Sequence, residues 1–85
     1  MMNVNIYDTH VRTRDGRHLH FDVLIEGDDQ GRAARHAREW MSKHGLEEGD
    51  IEQSRCLFCH SEPAHPDVVA ALSEHGYFII PLQGF

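Results

Sequence analysis

Near the start of the chain, two segments alternate between apolar and polar residues and are separated by a turn sequence. In the first, Val4 and Ile6 alternate with asparagines and predict a strand from residue 4 to about residue 12. In the second, residues 18–26, alternation is clearer. The apolar residues that share one face there are Leu19, Phe21, Val23 and Ile25. Asp15-Gly16 lies between the segments, and because this pair tolerates positive φ angles it predicts a β-hairpin.

The next segment has the residue spacing of an amphipathic helix. Asp28 or Asp29 can cap its start, and the helix is expected to end near His44, because Gly45 suits the left-handed conformation that follows many helices. The residues that fall on its expected buried face are Ala33, Ala37, Trp40, Met41 and His44. The exposed side of this helix carries arginines.

The second half of the chain predicts a strand, a helix and a final strand. Residues 51–58 form the strand, with weak alternation. Pro66 favours the first turn of the helix, and Gly76 marks its end. The buried stripe of this helix is expected to be Val68, Val69 and Leu72. Residues 77–80 form the last strand, and because Pro81 cannot donate to a ladder, that strand is expected to end there or to lie at a sheet edge.

These elements predict one domain, residues 1–85, of the α+β class with the order ββαβαβ. Both helices link strands through connections that are long enough for parallel crossovers, which are right-handed. Crossovers of one hand place both helices on the same face of a sheet. We therefore expect a two-layer α/β sandwich, in which a four-stranded mixed sheet carries two helices on one face.

Composition and charge narrow the class of protein. The chain has 85 residues, of which 40% are hydrophobic, so it can bury a small core. Its formal net charge of -6 opposes binding to nucleic acid, whose affinity comes largely from Lys and Arg on phosphates. No segment is apolar over the length of a membrane span, and the first residues lack the pattern of a signal peptide. The expected location is cytoplasmic.

The densest candidate chemistry lies in Cys56-Leu57-Phe58-Cys59-His60, which is followed by His65. Two thiolates three residues apart can chelate a tetrahedral zinc ion, and histidines can complete the set of ligands. The candidate metal ligands are therefore Cys56, Cys59, His60 and His65. A single Cys-x-x-Cys pair is only half of the usual zinc signature, so this site is a hypothesis.

The same segment admits three other interpretations. Covalent haem attachment uses this five-residue pattern, but it normally requires export and a pocket that is large for 85 residues. Thiol redox chemistry at Cys59 is disfavoured, because the following helix is expected to begin too late for its N-terminus to activate a thiol. Ordinary packing of cysteines, which are often buried, explains the segment without any ligand.

The hairpin offers a second candidate site, made of histidine and aspartate. His18 and His20 share one face of their strand. With a two-residue turn at Asp15-Gly16, Asp8 and His10 lie on the apolar face, whereas a shift of one residue turns both to the other face. The sequence leaves this register open, and solvated polar positions explain the same residues without a ligand.

The end of the sheet is a third place where a ligand is expected. Ligands of open α/β sheets tend to bind beyond the carboxyl ends of strands. If the third strand runs parallel to a neighbour, its end lies beside the end of the second strand. The residues that would form this rim are Cys59, His60, His65, Asp28 and Asp29.

Four motifs occur in a characteristic order along the chain. They are Ile6-Tyr7-Asp8-Thr9-x-Val11, Asp15-Gly16 followed by His20-Phe21-Asp22-Val23, Cys56-x-Phe58-Cys59-His60, and Gly76-Tyr77-Phe78-Ile79. Together they resemble the uncharacterised bacterial family DUF2024, over nearly the whole chain. The resemblance implies a two-layer α/β fold with no established activity and assigns no catalytic residues. The chemically interesting positions that match it are Tyr7, Asp8, Thr9, His20, Asp22, Cys56, Cys59 and His60.

The sequence favours a small binding or interaction domain of unknown function over an enzyme, with zinc as the candidate cofactor. No convincing pair of nucleophile and base and no glycine-rich phosphate loop is present. Two alternatives stay open. One is a thiol-redox factor or enzyme that uses Cys59. The other is a homodimeric structural module that pairs through an edge strand or through residues 81–85. The expected state is a monomer or a weak homodimer.

Overall fold

The computed structural model describes residues 3–84 and has the predicted α+β composition of four strands and two α-helices. The strands are β1 (Asn3–Thr13), β2 (His18–Ile25), β3 (Ile51–Pro63) and β4 (Phe78–Gln83). The helices are α1 (Gln30–Lys43) and α2 (Pro66–His75). A short 3-10 helix, Glu48–Asp50, lies between α1 and β3 and was not anticipated from the sequence.

The four strands form one antiparallel sheet in the order β3-β1-β2-β4. The prediction of a mixed sheet is therefore wrong. β2 and β3 do run in the same direction, but β1 lies between them and pairs with both. A connection of the observed length permits a parallel crossover, yet it does not decide which strands become neighbours. Here the hairpin places β1 beside β2, and β3 pairs with the free side of β1.

The two α-helices lie on opposite faces of the sheet, so the prediction of both helices on one face is also wrong. The face covered by α1, called the α1 face, carries odd-numbered residues of β1 and β2, such as Tyr7 and Phe21. The opposite face, called the α2 face, carries even-numbered residues, and Val4, Ile6 and Leu24 pack there with Val68 of α2. Because one end of the α2 face is also apolar, the second helix covers that end rather than joining the first.

The ends of α1 follow the sequence signals. Asp29 caps its start and accepts a hydrogen bond from the backbone N–H of Arg32 at 3.0 Å. The buried residues of this helix are Ala33, Ala37 and Met41, all of which the periodicity predicts. Pro81 lies within β4, which is an edge strand, so the ladder needs no donor from it on its outer side.

The α2 face is apolar at one end and polar at the other. Val4, Ile6 and Leu24 are buried beneath α2, whereas Asp8 and His10, further along β1, stay partly exposed. The polar end is therefore an accessible part of an otherwise packed sheet, and it carries the candidate site. Among residues 3–84, no helix combines the length and the apolar character that crossing a membrane requires.

Candidate metal centre

The loop between β1 and β2 determines which side chains meet on the polar end of the α2 face. Residues 14–16 form a three-residue loop, closed by a hydrogen bond from Thr13 N–H to Arg17 O at 2.9 Å. Gly16 has a φ of 90°, the left-handed conformation that this type of loop requires. The loop sets His10 opposite His20. Of the two registers that the sequence leaves open, the structure has the one that turns Asp8 and His10 away from the α1 face.

Asp8, His10 and His20 converge on one another. Nε2 of His10 lies 3.0 Å from Asp8 Oδ2, and Nε2 of His20 donates to Asp8 Oδ1. The two imidazole rings stack, with centroids 4.0 Å apart and an interplanar angle of 13°. All three potential ligand atoms lie within 4.8 Å of one another. Within residues 3–84, no other set of three His, Cys, Asp or Glu side chains meets this criterion.

His18 extends the cluster along the hairpin. Its Nε2 lies 3.2 Å from His10 Nδ1, and the two rings stack with centroids 5.3 Å apart. When His10 donates from Nε2 to Asp8, its Nδ1 is the nitrogen that can accept from His18. His18 therefore contacts the nitrogen of His10 that faces away from Asp8. If a metal takes the place of the proton on Nε2, Nδ1–H of His10 can donate to His18, and such an outer hydrogen bond orients a ligand imidazole.

The pKa values of Asp8 and of its neighbour Asp22 shift in opposite directions. Burial alone raises the pKa of Asp8, but the hydrogen bonds from His20 and His10 together outweigh it, so the pKa lies below its ordinary value. Asp22 sits directly opposite Asp8. Burial raises the pKa of Asp22, and the negative charge of Asp8 raises it further. Asp8 is thus held as the carboxylate, the form that binds a cation.

Two imidazoles and one carboxylate are a donor set that suits borderline transition ions such as Zn²⁺. Metal–ligand bonds of about 2.0–2.2 Å place the ligand atoms of a tetrahedral ion about 3.3 Å apart, which is close to the 3.0 Å between His10 Nε2 and Asp8 Oδ2. The side chains are 38% (Asp8), 41% (His10) and 26% (His20) exposed. Water or another ligand can therefore occupy the remaining coordination positions.

The structure brings only part of the Cys-x-x-Cys-His segment together. β3 extends past Phe58, where it was expected to end, and has an irregularity at which Cys59 has no partner on β1. Sγ of Cys59 lies 3.2 Å from Nδ1 of His60, and Nε2 of His60 lies 3.3 Å from Glu62. Cys59 and His60 are exposed.

Cys56 and His65 lie apart from that contact. Cys56 is opposite Thr9 on the α1 face and packs against the core there, while His60 is opposite Ile6 on the α2 face. Burial raises the pKa of the Cys56 thiol, which disfavours the thiolate that zinc would need. His65 is the residue that precedes α2 and makes no side-chain capping bond. A zinc site shared by these residues stays a prediction.

The predicted rim at the end of the sheet has a cleft of its own. Asp28 lines it together with Asn5, Phe58 and Ser61. Asp29, by contrast, is engaged as the cap of α1. The cleft therefore involves only one of the residues that the sequence proposed for this rim.

The sequence points to the histidines and the aspartate of the hairpin, but it does not show that their side chains lie together. The decisive signal, a three-residue loop instead of a two-residue loop, is not distinguishable from Arg14-Asp15-Gly16-Arg17 alone, because Gly16 suits both. The basic residues beside the cluster, Arg12 and Arg55, were not connected with a site at all. Arg55 lies opposite His10 only because β3 pairs with β1.

Comparison with known proteins places the chain in a family. Residues 2–82 match the family described as "Domain of unknown function (DUF2024)". The NMR structure of protein NE1680 from Nitrosomonas europaea, a target of the Northeast Structural Genomics Consortium, is 39% identical, with a TM-score of 0.82 and 98% of each chain covered. No curated protein matches significantly. On this evidence, the chain belongs to the DUF2024 family.

Proposed function

We propose that this protein is a non-enzymatic metal-binding domain that holds a divalent transition ion, with zinc as the favoured ion, at Asp8, His10 and His20. The observation that carries the proposal is the convergence of two Nε2 atoms on the two oxygens of one carboxylate. Each of these contacts needs a proton between nitrogen and oxygen. A divalent cation can replace both protons while keeping the same three side chains together.

The surroundings of the three ligands support a bound cation. His18 contacts the second nitrogen of His10 and can fix the orientation of its ring. Asp8 is favoured in its ionised form. The ligands come from paired strands of one hairpin, so binding requires no loop to become ordered. Three protein ligands on a partly exposed face leave at least one coordination position open, as in exchangeable sites rather than closed structural ones.

The test is a zinc affinity measurement by competition with a chelating dye, made on the wild type and on Asp8→Asn, His10→Gln and His20→Gln. Each substitution should weaken zinc binding by more than about a hundredfold, because even the loss of a group that only orients a ligand costs about 10–100-fold. His75→Gln, which alters an exposed histidine on α2, is the matched control and should bind zinc like the wild type.

The same measurement separates this site from the predicted cysteine site. Cys56→Ser and Cys59→Ser should leave the zinc affinity unchanged if Asp8, His10 and His20 hold the ion. A wild-type Kd weaker than about 100 µM, or three hairpin variants that bind like the wild type, would contradict the proposal. A loss of zinc affinity confined to the cysteine variants would show that the metal binds at the Cys-x-x-Cys-His segment.

The contact between Cys59 and His60 favours a second candidate function, a reactive thiol. His60 lies within hydrogen-bond reach of Cys59 Sγ and of Glu62, which is the arrangement of a nucleophile, a base and an orienting carboxylate. In that chemistry the Cys59 proton passes to His60, the sulfur bonds to one sulfur of a disulfide, and the other sulfur leaves as a thiolate.

A disulfide reagent such as DTNB tests this second function. In a Cys56→Ser background, His60→Gln should slow the reaction of Cys59 several-fold at neutral pH, whereas His65→Gln should not. Equal rates in both variants would show that His60 does not assist the thiol, and Cys59 would then be an ordinary exposed cysteine.

A further inference from the structure

A cleft adjoins the candidate metal centre on the α2 face. It has a volume of about 190 Å³. The polar side chains that line it are His10, Arg12, His18, Gln53 and Arg55. One wall is therefore His10, a proposed metal ligand, and the opposite side belongs to β3. Of the three proposed metal ligands only His10 lines the cleft, so a molecule bound there lies next to one ligand of the metal.

The strand register explains why two arginines meet here. Arg12 is opposite His18 on β2 and opposite Gln53 on β3, while Arg55 is opposite His10. Arg12 and Arg55 are consequently diagonal neighbours on one face of adjacent strands, where long side chains are within reach of each other. Two guanidinium groups are thus brought to one small cleft.

Neither arginine is neutralised within the described part of the chain. Arg12 and Arg55 form no ion pair with any of residues 3–84. The nearest acidic residue of the cluster, Asp8, is already engaged by His10 and His20. In a chain with 14 acidic and 8 basic residues, two adjacent arginines without a carboxylate partner form a local excess of positive charge. Such a pair is suited to bind an oxyanion, because the guanidinium fork matches the geometry of carboxylate and phosphate.

We propose that this cleft binds the phosphate or carboxylate group of a small anionic molecule, held by Arg12 and Arg55 and placed beside the open coordination position of the metal. This inference rests on the proposed metal site and names the class of ligand that completes it. Arg12 and Arg55 attract the anion and orient it through hydrogen bonds, and the metal is the second group to which it binds. A neutral molecule gains no ion pair with the two arginines.

The experiment uses the cobalt-loaded protein, since the visible spectrum of Co²⁺ reports both metal binding and the entry of a new ligand. Phenyl phosphate and succinate are titrated separately, which distinguishes the phosphate from the carboxylate. Either anion should change the spectrum. Arg12→Gln and Arg55→Gln should each raise the Kd of the bound anion about tenfold or more, the effect of losing one charge-assisted hydrogen bond. Neither substitution removes a metal ligand, so cobalt should still bind, with a Kd that is unchanged or lower because a nearby positive charge is lost.

Arg35→Gln, an equal change of charge on exposed α1 across the sheet, is the control and should bind the anion like the wild type. Cobalt binding with an anion affinity that neither Arg12→Gln nor Arg55→Gln alters would overturn this inference and leave the metal site standing. Absence of any cobalt spectrum would overturn the metal site and this inference together. Tighter binding of one anion than of the other shows whether the cleft prefers phosphate or carboxylate.

Discussion

The carboxylate of Asp8 organises the candidate site because each of its oxygens contacts a different histidine. The rings of the two histidines stack with centroids 4.0 Å apart. Stacked imidazoles repel one another when both are protonated, and a carboxylate between their nitrogens offsets that repulsion. The same geometry favours a cation of higher charge density, which interacts with all three groups at once.

His36 gives a residue-scale prediction about pH. Its ring is largely buried on α1 and stacks on Tyr77 with centroids 4.6 Å apart, and its Nδ1 lies 3.6 Å from Glu39 Oε2, beyond hydrogen-bond distance. Burial lowers the pKa of His36, and the charge of Glu39 opposes the effect only in part. Below the ordinary value of 6.5, the unfolded chain therefore takes up a proton that the folded chain resists.

The free energy of unfolding should consequently fall as the pH is lowered from 7 through 6.5 toward the folded pKa of His36. His36→Gln should show a shallower decline over this range when unfolding in urea is followed by circular dichroism. The side chain of His75 is 63% exposed, so His75→Gln should keep the wild-type dependence of the unfolding free energy on pH. An unaltered slope in His36→Gln would contradict the burial argument.

At the scale of elements, the β1–β2 hairpin carries both the core and the site. Gly16→Ala places a Cβ where φ is 90° and where no atom lies within 4 Å of it, so its effect is conformational strain rather than a clash. We expect a loss of about 1–2 kcal/mol in the free energy of unfolding, measured in urea. Gly49→Ala is the matched control: that glycine also has open space around it but has no positive φ. A loss that is equal in the two variants would contradict the role given to the loop.

The local sequence predicts where single strands and helices lie better than it predicts how they pair and pack. Alternation located β1 and β2, and the caps located α1, because these signals arise within single segments. Arg14-Asp15-Gly16-Arg17, however, fits loops of two or three residues, which differ by a small free energy. The rest of the chain decides between them, since only one register sets the apolar residues of β2 against α1 while Val4 and Ile6 face α2. The end of β3 was missed for a similar reason: its outer part is held by pairing with β1 and not by its own pattern.

At the scale of the molecule, a bound metal should stabilise the whole fold. The three ligands lie on two strands of the sheet, and the unfolded chain does not hold them together. At a zinc concentration of 100 times the Kd, the stabilisation is about 2.7 kcal/mol, which corresponds to a rise in Tm of roughly 10–20 °C for a chain of this size. Differential scanning calorimetry should show this rise, and EDTA should reverse it. Asp8→Asn, with zinc binding weakened about a hundredfold or more, should rise by no more than about 3 °C at the same zinc concentration, and a rise as large as that of the wild type would place the ion elsewhere.

The order of the strands in the sheet does not follow from the sequence. The connection from β2 to β3 is compatible with adjacent parallel strands and with the observed arrangement, in which β1 lies between them. Apolar residues on both faces of the first strand, Tyr7 on one and Ile6 on the other, are the feature that allows helices on opposite faces. This feature is visible in the sequence, because neighbouring residues of a strand point to opposite faces, but it does not show which strands become neighbours.

The length of the loop at residues 14–16 determines which members of the family can form the same site. A relative can carry aspartate and histidines at all three aligned positions and still lack the centre, if its loop is shorter or longer by one residue. In such a relative the side chains of one strand exchange faces, and the polar cluster competes for space with the core beneath α1. Loop length, which contributes no atom to the cluster, is therefore as good a criterion as the ligands themselves for deciding which relatives share it.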